Sequence, residues 1–190
     1  MLVPKYIYLT KGKGEHKEKL ASFEAALRDA GIAAQNIVEV SSIYPPHAQL
    51  VSRPKGEKLL VPGQILFCVL ARNQTNEPHR LISSSIGLAM PADHSVHGYL
   101  SEHKGFGENA TQSGDYAEDL AAEMLASTLG IDFNVDQSWD EKKQAFLMSG
   151  KIIKTSNITQ TGVGPKDGKW LTTVAAAVMI TQWVAPPAIK

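Results

Sequence analysis

The chain has 190 residues, of which 43% are hydrophobic and 20% charged, and this composition suits one globular domain over residues 1–190 with a substantial core. Basic and acidic residues number 19 each, so no net positive charge indicates a nucleic-acid partner or an anionic membrane surface. Because no apolar run approaches the roughly 20 residues that span a bilayer, and the N-terminus does not have the pattern of a signal peptide, we expect a cytoplasmic protein without membrane partners.

The N-terminal part is predicted to form two strands around one helix. Lys5–Thr10 is rich in β-favouring residues, which is typical of a strand. Glu15–Ala30 places apolar residues at helical spacing, and Gly31 supplies the stop. Asn36–Ser42 is predicted to be the second strand. The Gly-x-Gly at residues 12–14 lacks the other residues of a phosphate-binding loop, so it does not predict a nucleotide site.

The middle of the chain is predicted to add three strands. Gln64–Leu70 is a nearly continuous apolar run, which favours a strand buried on both faces, with Cys68 as a core residue. Leu81–Met90 is rich in small residues and is also interpreted as a strand. Val96–Ser101 is predicted to be a strand that delivers Glu102 at its end.

The C-terminal part is predicted to contain a second long helix and a hairpin. The helix covers Ser113–Leu129, with Ser113 as its N-cap. Ile152–Thr161 and Trp170–Gln182 are long strand candidates, and the glycine-rich turn between them indicates a hairpin. The tail at 185–190 is expected to be loose. Two helices and about seven strands that mostly do not alternate predict an α+β layered sandwich.

Two further groups of polar residues were considered as sites. The serines of Leu81–Met90 lie within an apolar run, which favours close packing in a sheet over catalysis. His94 and His97, with Glu102, match no strong metal-ligand spacing, so no metal is expected.

The most informative stretch is the serine pair Ser41-Ser42, which follows the second strand and precedes Ile43-Tyr44-Pro45-Pro46. The two prolines fix φ and remove two backbone donors, and they push the residue before them towards an extended conformation. The strand must therefore stop here, and the bond between the serines lies where the chain leaves it. By spacing alone, such a pair is usually only a turn.

A strained backbone at such a junction is where autocatalytic chain chemistry could occur. Residues 36–46 resemble the self-cleavage segment of the pyruvoyl-dependent arginine decarboxylases, in which the bond between the two serines breaks and the second serine becomes a pyruvoyl group. The Ser42 hydroxyl would attack the Ser41 carbonyl to give an ester, and elimination would then free the Ser41 carboxylate and leave dehydroalanine at position 42. Hydrolysis would release ammonia and leave a pyruvoyl group. This chemistry requires serine at position 42 and donors that polarise the Ser41 carbonyl.

The chain resembles the pyruvoyl-dependent arginine decarboxylases over most of its length. The most specific shared motif is the Ser-Ser-Ile-x-Pro-Pro of residues 41–46. The other motifs occur in the same order, namely Phe23-Glu-Ala-Ala-Leu27, Ala30-Gly-Ile32, Asn36, Leu60-Val-Pro62, Ala89-Met-Pro91, Gly98-Tyr-Leu-Ser-Glu102 and Gly105.

This resemblance implies a fold, a cofactor and an activity. The fold is a four-layer αββα sandwich with mainly antiparallel sheets, assembled as a homotrimer or a multiple of it, with active sites at subunit interfaces. Cleavage at Ser41–Ser42 would give a β chain of residues 1–41 and an α chain of residues 42–190. The cofactor would be a covalent pyruvoyl group derived from Ser42, with no pyridoxal phosphate (PLP) and no metal. The activity would be conversion of L-arginine to agmatine and CO2.

The resemblance also implies roles for individual residues. Asn36 would assist cleavage and position the site, and Glu102 would return a proton to the substrate, a role expected to depend on burial. Glu24 would bind the substrate guanidinium, although the family commonly has aspartate there. Another cationic amino acid therefore stays open as the substrate. An uncleaved, non-catalytic homologue that assembles or regulates is the remaining alternative.

Overall fold

The computed structural model describes residues 1–131 and 151–184, which form three helices and nine strands. The helices are α1 (Lys19–Asp29), α2 (Arg53–Glu57) and α3 (Ala110–Thr128). The strands are β1 (Leu2–His16), β2 (Asn36–Glu39), β3 (Ile43–Tyr44), β4 (Gln49–Leu50), β5 (Ile65–Thr75), β6 (Leu81–Pro91), β7 (Gly98–Phe106), β8 (Ile152–Val163) and β9 (Trp170–Trp183). The predicted loose tail at 185–190 lies outside the described residues.

The strands form two sheets. One has five strands in the order β2-β5-β9-β1-β4, and the other has four strands in the order β3-β7-β6-β8. Neighbouring strands are antiparallel except for the pairs β1–β4 and β2–β5, which are parallel. The predicted α+β class with mainly antiparallel sheets is therefore confirmed.

The predicted hairpin between β8 and β9 is wrong, because the two strands belong to different sheets. β8 pairs with β6, whereas β9 pairs with β1 and β5. The turn between them is fixed to the β5–β6 connection, where the Gly164 N–H donates to the Arg80 carbonyl at 2.8 Å. Turn residues mark a change of chain direction, but they do not determine which strand pairs with which.

Among the residues that the structure describes, three apolar clusters lie between the sheets and helices. One combines residues of both sheets, including Ile7, Val69, Ile86, Leu100 and Ala177. A second joins α1 to the five-stranded sheet, and a third joins α3 to the four-stranded sheet.

β5 contributes to two of these clusters, as expected for a strand buried on both faces. Val69 belongs to the cluster between the sheets, and Cys68 belongs to the cluster under α1. Cys68 is fully buried, and this burial raises the pKa of its thiol to about 12. The thiol is therefore neutral at physiological pH, which confirms its interpretation as a core residue.

β1 continues through the Gly-x-Gly to His16, so the predicted helix start at Glu15 is wrong. The strand pairs with β9 over its whole length. A Cβ on Gly12 would lie 2.3 Å from the Ala26 carbonyl oxygen, and one on Gly14 would lie 2.4 Å from the Ala26 nitrogen. The two glycines are needed because the backbone of α1 packs directly on the strand.

β7 extends past its predicted end and places Glu102 inside the strand, opposite Ile86 of β6. Consecutive side chains of a strand point to opposite faces. Leu100 belongs to the cluster between the two sheets, so Glu102 lies on the same face of the strand. His103 lies on the opposite face, towards α3, and its ring centroid is 4.4 Å from that of Tyr116.

α3 begins earlier than predicted, because Asn109 and not Ser113 is its N-cap. The Asn109 side chain accepts a hydrogen bond from the Gln112 N–H at 2.9 Å, and the Gln112 side chain accepts one from the Asn109 N–H at 3.1 Å. This is a capping box, in which both residues satisfy free donors of the first turn. Ser113 is buried instead, with its hydroxyl 2.7 Å from that of Ser85.

We expect Gly87→Ala to lower the free energy of unfolding by about 2 kcal/mol, because the new methyl group overpacks the contact between β6 and α3. A Cβ at Gly87 would lie 2.0 Å from the Ala117 carbonyl oxygen, which belongs to backbone that cannot rotate away. Urea denaturation measures the change. The matched control is Gly162→Ala, where the nearest atom, at 2.8 Å, belongs to the movable Leu171 side chain. Equal stability of both variants would contradict close packing of α3 on β6.

Within the described residues, no helix is both long enough and apolar enough to cross a membrane.

Candidate active site

The serine pair lies where the chain crosses from one sheet to the other. β2 belongs to the five-stranded sheet and ends before the serines, not at Ser42 as predicted, although the Val40 N–H still donates to the Cys68 carbonyl at 3.0 Å. β3 begins directly after the pair and belongs to the four-stranded sheet. The Ser41–Ser42 bond is therefore held from both ends by different sheets.

The carbonyl of Ser41 accepts a backbone hydrogen bond. The donor is the N–H of Ile43, at 2.9 Å, so Ser42 is the central residue of a three-residue turn. On the other side, the Leu100 N–H donates to the Ser42 carbonyl at 2.8 Å. A donor on the Ser41 carbonyl oxygen polarises the bond that cleavage would break. Sequence reasoning requires such a donor but cannot identify it, because almost every residue has an N–H.

The Ser42 hydroxyl lies beside the carboxylate of Glu102. Its Oγ donates to Glu102 Oε2 over 3.3 Å, a long hydrogen bond between residues 60 positions apart. Ser42 is half-buried and Glu102 is exposed, so the burial expected for Glu102 is not found within one chain. The arrangement can carry a proton from the serine hydroxyl to the carboxylate and back.

An apolar cavity of about 260 Å³ opens beside the serine pair. The cavity is lined by the segment on either side of the serine pair, by the start of β1, and by residues of β5 and β9. The lining residues are Leu2, Pro4, Val40, Ser41, Ile43, Pro45, Phe67, Met179 and Thr181. The cavity can receive an aliphatic chain. Because few polar groups line it, the charges that act on a ligand come from residues at its edge.

Tyr44 anchors the segment that follows the serines. Its ring is buried, and its hydroxyl donates to the Ala48 carbonyl at 2.8 Å across the double proline. Burial raises the pKa of Tyr44 to about 12, so it stays a neutral donor. The motif thus fixes the backbone downstream of Ser42 by a hydrogen bond as well as by its prolines.

The structure does not bring Asn36 to the serine pair within one chain. Asn36 begins β2, and its side-chain amide donates to the Gly63 carbonyl at 2.9 Å. The strand runs extended from there towards Ser41, at roughly 3.3 Å per residue, which separates the amide from Ser42.

Glu24 also lies apart from the serine pair. It is on α1, which covers the five-stranded sheet, and its carboxylate is held by Arg28 at 2.7 Å. Among the described residues, no hydrogen bond or ion pair links Glu24 with Ser42, Asn36 or Glu102. Of the site residues predicted from the sequence, one chain therefore brings together only Ser41, Ser42 and Glu102.

Among the other polar groups considered in the sequence, Ser84, Ser85 and His97 have structural partners, whereas the buried Ser83 hydroxyl has no hydrogen-bond partner among the described residues. Ser84 and Ser85 are buried and hydrogen-bonded, for example between Ser84 Oγ and Thr173 Oγ1 at 2.9 Å. The His97 ring makes an edge contact with Tyr99. In the ranges that the structure describes, no three or more His, Cys, Asp or Glu side chains are placed to hold a metal ion.

Fold and site together define an α+β protein of two sheets, built around a serine pair whose hydroxyl meets a carboxylate at the crossover between them. A sequence model of the family described as "Pyruvoyl-dependent arginine decarboxylase" matches residues 6–184. The chain belongs to the pyruvoyl-dependent arginine decarboxylase family.

Similar proteins cover nearly the whole chain. A protein of Nitrosopumilus maritimus named pyruvoyl-dependent arginine decarboxylase is 59% identical over 179 residues, which is 94% of this chain and 98% of that protein. One of Chloroherpeton thalassium, named as a probable enzyme of this kind, is 57% identical over 94% of this chain and 98% of its own. Pyruvoyl-dependent arginine decarboxylase 2 of Methanosarcina acetivorans is 55% identical over 95% and 98%. The resemblance found in the sequence motifs is thus confirmed.

Proposed function

We propose that this protein converts L-arginine to agmatine and CO2, using a pyruvoyl group made from Ser42 by autocatalytic cleavage of the Ser41–Ser42 bond. The observation that carries the proposal is the Ser42 hydroxyl at 3.3 Å from the Glu102 carboxylate, at the serine pair of a chain that belongs to this family. The products of cleavage are a β chain of residues 1–41 and an α chain of residues 42–190. Before cleavage, residues 1–190 act as one domain.

Three contacts support the cleavage step. The Ile43 N–H, at 2.9 Å from the Ser41 carbonyl oxygen, stabilises negative charge on that oxygen when the hydroxyl attacks. Glu102 accepts the proton of the Ser42 hydroxyl and makes its oxygen a better nucleophile. The Leu100 N–H holds the Ser42 carbonyl in place while the bond to Ser41 breaks.

The same residues fit a pyruvoyl group at position 42, because a carboxylate and an apolar cavity adjoin that position. A pyruvoyl carbonyl supplies an electron sink for the charge that is left on the substrate when CO2 departs. Glu102 then returns a proton to the substrate Cα. The cavity lined by Ile43 and Phe67 receives apolar parts of the substrate and keeps water away from the reacting atoms. Neither a metal ion nor PLP takes part.

Glu24 is proposed to bind the substrate's guanidinium group. A carboxylate can accept two parallel hydrogen bonds from this planar cation, which favours arginine over lysine. Glutamate in place of the family's common aspartate lengthens the side chain by one methylene and keeps the charge.

Assembly is proposed to complete the site, as a homotrimer or a multiple of it with active sites between subunits. Among the described residues, no hydrogen bond or ion pair joins Glu24 or Asn36 to Ser42 in one chain, and Glu102 is exposed. A second copy would supply the missing groups and the burial. Leu2 and Ile43, which line the cavity, are exposed apolar side chains that such an interface would cover. Each protomer would contribute a four-layer αββα sandwich, and the assembly would be cytoplasmic.

The intact mass of the purified protein under denaturing conditions, together with an agmatine assay, tests the proposal. We expect two chains, with the larger one lighter by one molecule of ammonia than residues 42–190 beginning with serine, and release of agmatine and CO2 from arginine. A single full-length mass after long incubation, without agmatine, would refute the proposed function.

A further inference from the structure

The carboxylate that is proposed to bind the substrate's guanidinium already binds a guanidinium of the protein. Arg28 Nη2 lies 2.7 Å from both Oε1 and Oε2 of Glu24. The two residues are four positions apart on α1, where side chains lie next to each other on the helix surface. The hydrogen bond that Arg28 donates to Glu24 is also the largest cause of the raised pKa of Arg28, which is fully charged.

We infer that Arg28 competes with the substrate. Its guanidinium occupies the Glu24 carboxylate and thereby lowers the affinity for arginine. This inference rests on the proposed function and on the proposed role of Glu24. Arg28 presents the same planar group as arginine, so one carboxylate cannot hold both in the same geometry. The substrate must displace the Arg28 side chain before it binds.

Displacement is feasible because the pair is exposed. The Arg28 side chain is 75% exposed and that of Glu24 is 49% exposed. Exposed pairs with this spacing are weak, so the carboxylate is free about half of the time. Apparent affinity falls in proportion to the free fraction of the binding group, so Arg28 weakens arginine binding by about twofold. Its positive charge adds a repulsion that grows at low ionic strength.

The test compares Arg28→Gln with the wild type in steady-state decarboxylation and in calorimetric titration with agmatine, which carries the guanidinium but cannot be decarboxylated. We expect KM for arginine and Kd for agmatine to fall about twofold, by more at low salt, while kcat is unchanged. Arg80→Gln is the matched control. It removes an exposed arginine from its pair with Glu77 at 3.0 Å, and both constants should stay at the wild-type values.

Glu24→Gln separates this inference from the proposed function. It should raise KM and Kd. At high salt, where charge repulsion is screened, adding Arg28→Gln to it should bring no further fall, because the contested carboxylate is gone. Unchanged or raised constants in Arg28→Gln would overturn the inference and leave the decarboxylase function standing. Unchanged constants in Glu24→Gln would overturn both the role of Glu24 and the competition. Absence of agmatine production by the wild type would instead refute the proposed function and, with it, the competition.

Discussion

Ser42→Ala is expected to give a single full-length chain and no detectable agmatine. Without the hydroxyl, no oxygen can attack the Ser41 carbonyl, and no leaving group remains for the elimination that creates the pyruvoyl group. The loss should therefore be complete and not a matter of degree. Intact mass and an agmatine assay on the same preparation measure both consequences.

Ser41→Ala is the matched control for this experiment. It keeps the attacking hydroxyl of Ser42 and the backbone carbonyl that is attacked, whose hydrogen bond comes from the Ile43 N–H. It should still be cleaved and active. Full activity of Ser42→Ala would exclude a pyruvoyl group at this position, whatever the mass of the chain.

Glu102→Gln is expected to lower kcat by about 100-fold or more, because an amide of nearly the same shape cannot return a proton to the substrate. Because the proposed cleavage step also passes the proton of the Ser42 hydroxyl to this carboxylate, 3.3 Å away, cleavage of the precursor should slow as well. A time course of intact mass gives the cleavage rate, and kcat is then calculated per cleaved chain, so the two effects are separated.

Glu123→Gln provides the control for loss of a carboxylate, because Glu123 is an exposed residue of α3. Its kcat and its cleavage rate should equal those of the wild type. A Glu102→Gln enzyme with wild-type kcat would show that another group returns the proton.

Local structure could be predicted from the sequence where it depends on residues that are neighbours along the chain. Gly31 and Gly130 follow α1 and α3, and both have a positive φ, of 76° and 61°, which glycine adopts without strain. The serine pair was correctly predicted to lie at a junction, although β2 already ends at Glu39 and the double proline follows the short strand β3. The apolar run around Cys68 predicted a strand buried on both faces, because an alternating pattern disappears when both faces are covered.

The ends of several elements depended on contacts that are distant in sequence. β1 reaches His16 because β9 pairs with it along its whole length, and this pairing overrides the helical pattern that begins at Glu15. β7 reaches Phe106 because β6 continues beside it. The helix or strand propensity of individual residues has a weak influence on where an element ends, compared with a complete ladder of hydrogen bonds between strands.

The α+β class, the position of the serine pair and, through the motifs, the family were predictable from the sequence. The packing of the whole chain was needed to show that β8 and β9 join different sheets, that Glu102 meets Ser42 across 60 positions, and that Arg28 pairs with Glu24. The physical reason is that alternation and turn residues specify which side of a segment is buried, whereas pairing partners and side-chain distances depend on how all segments pack together.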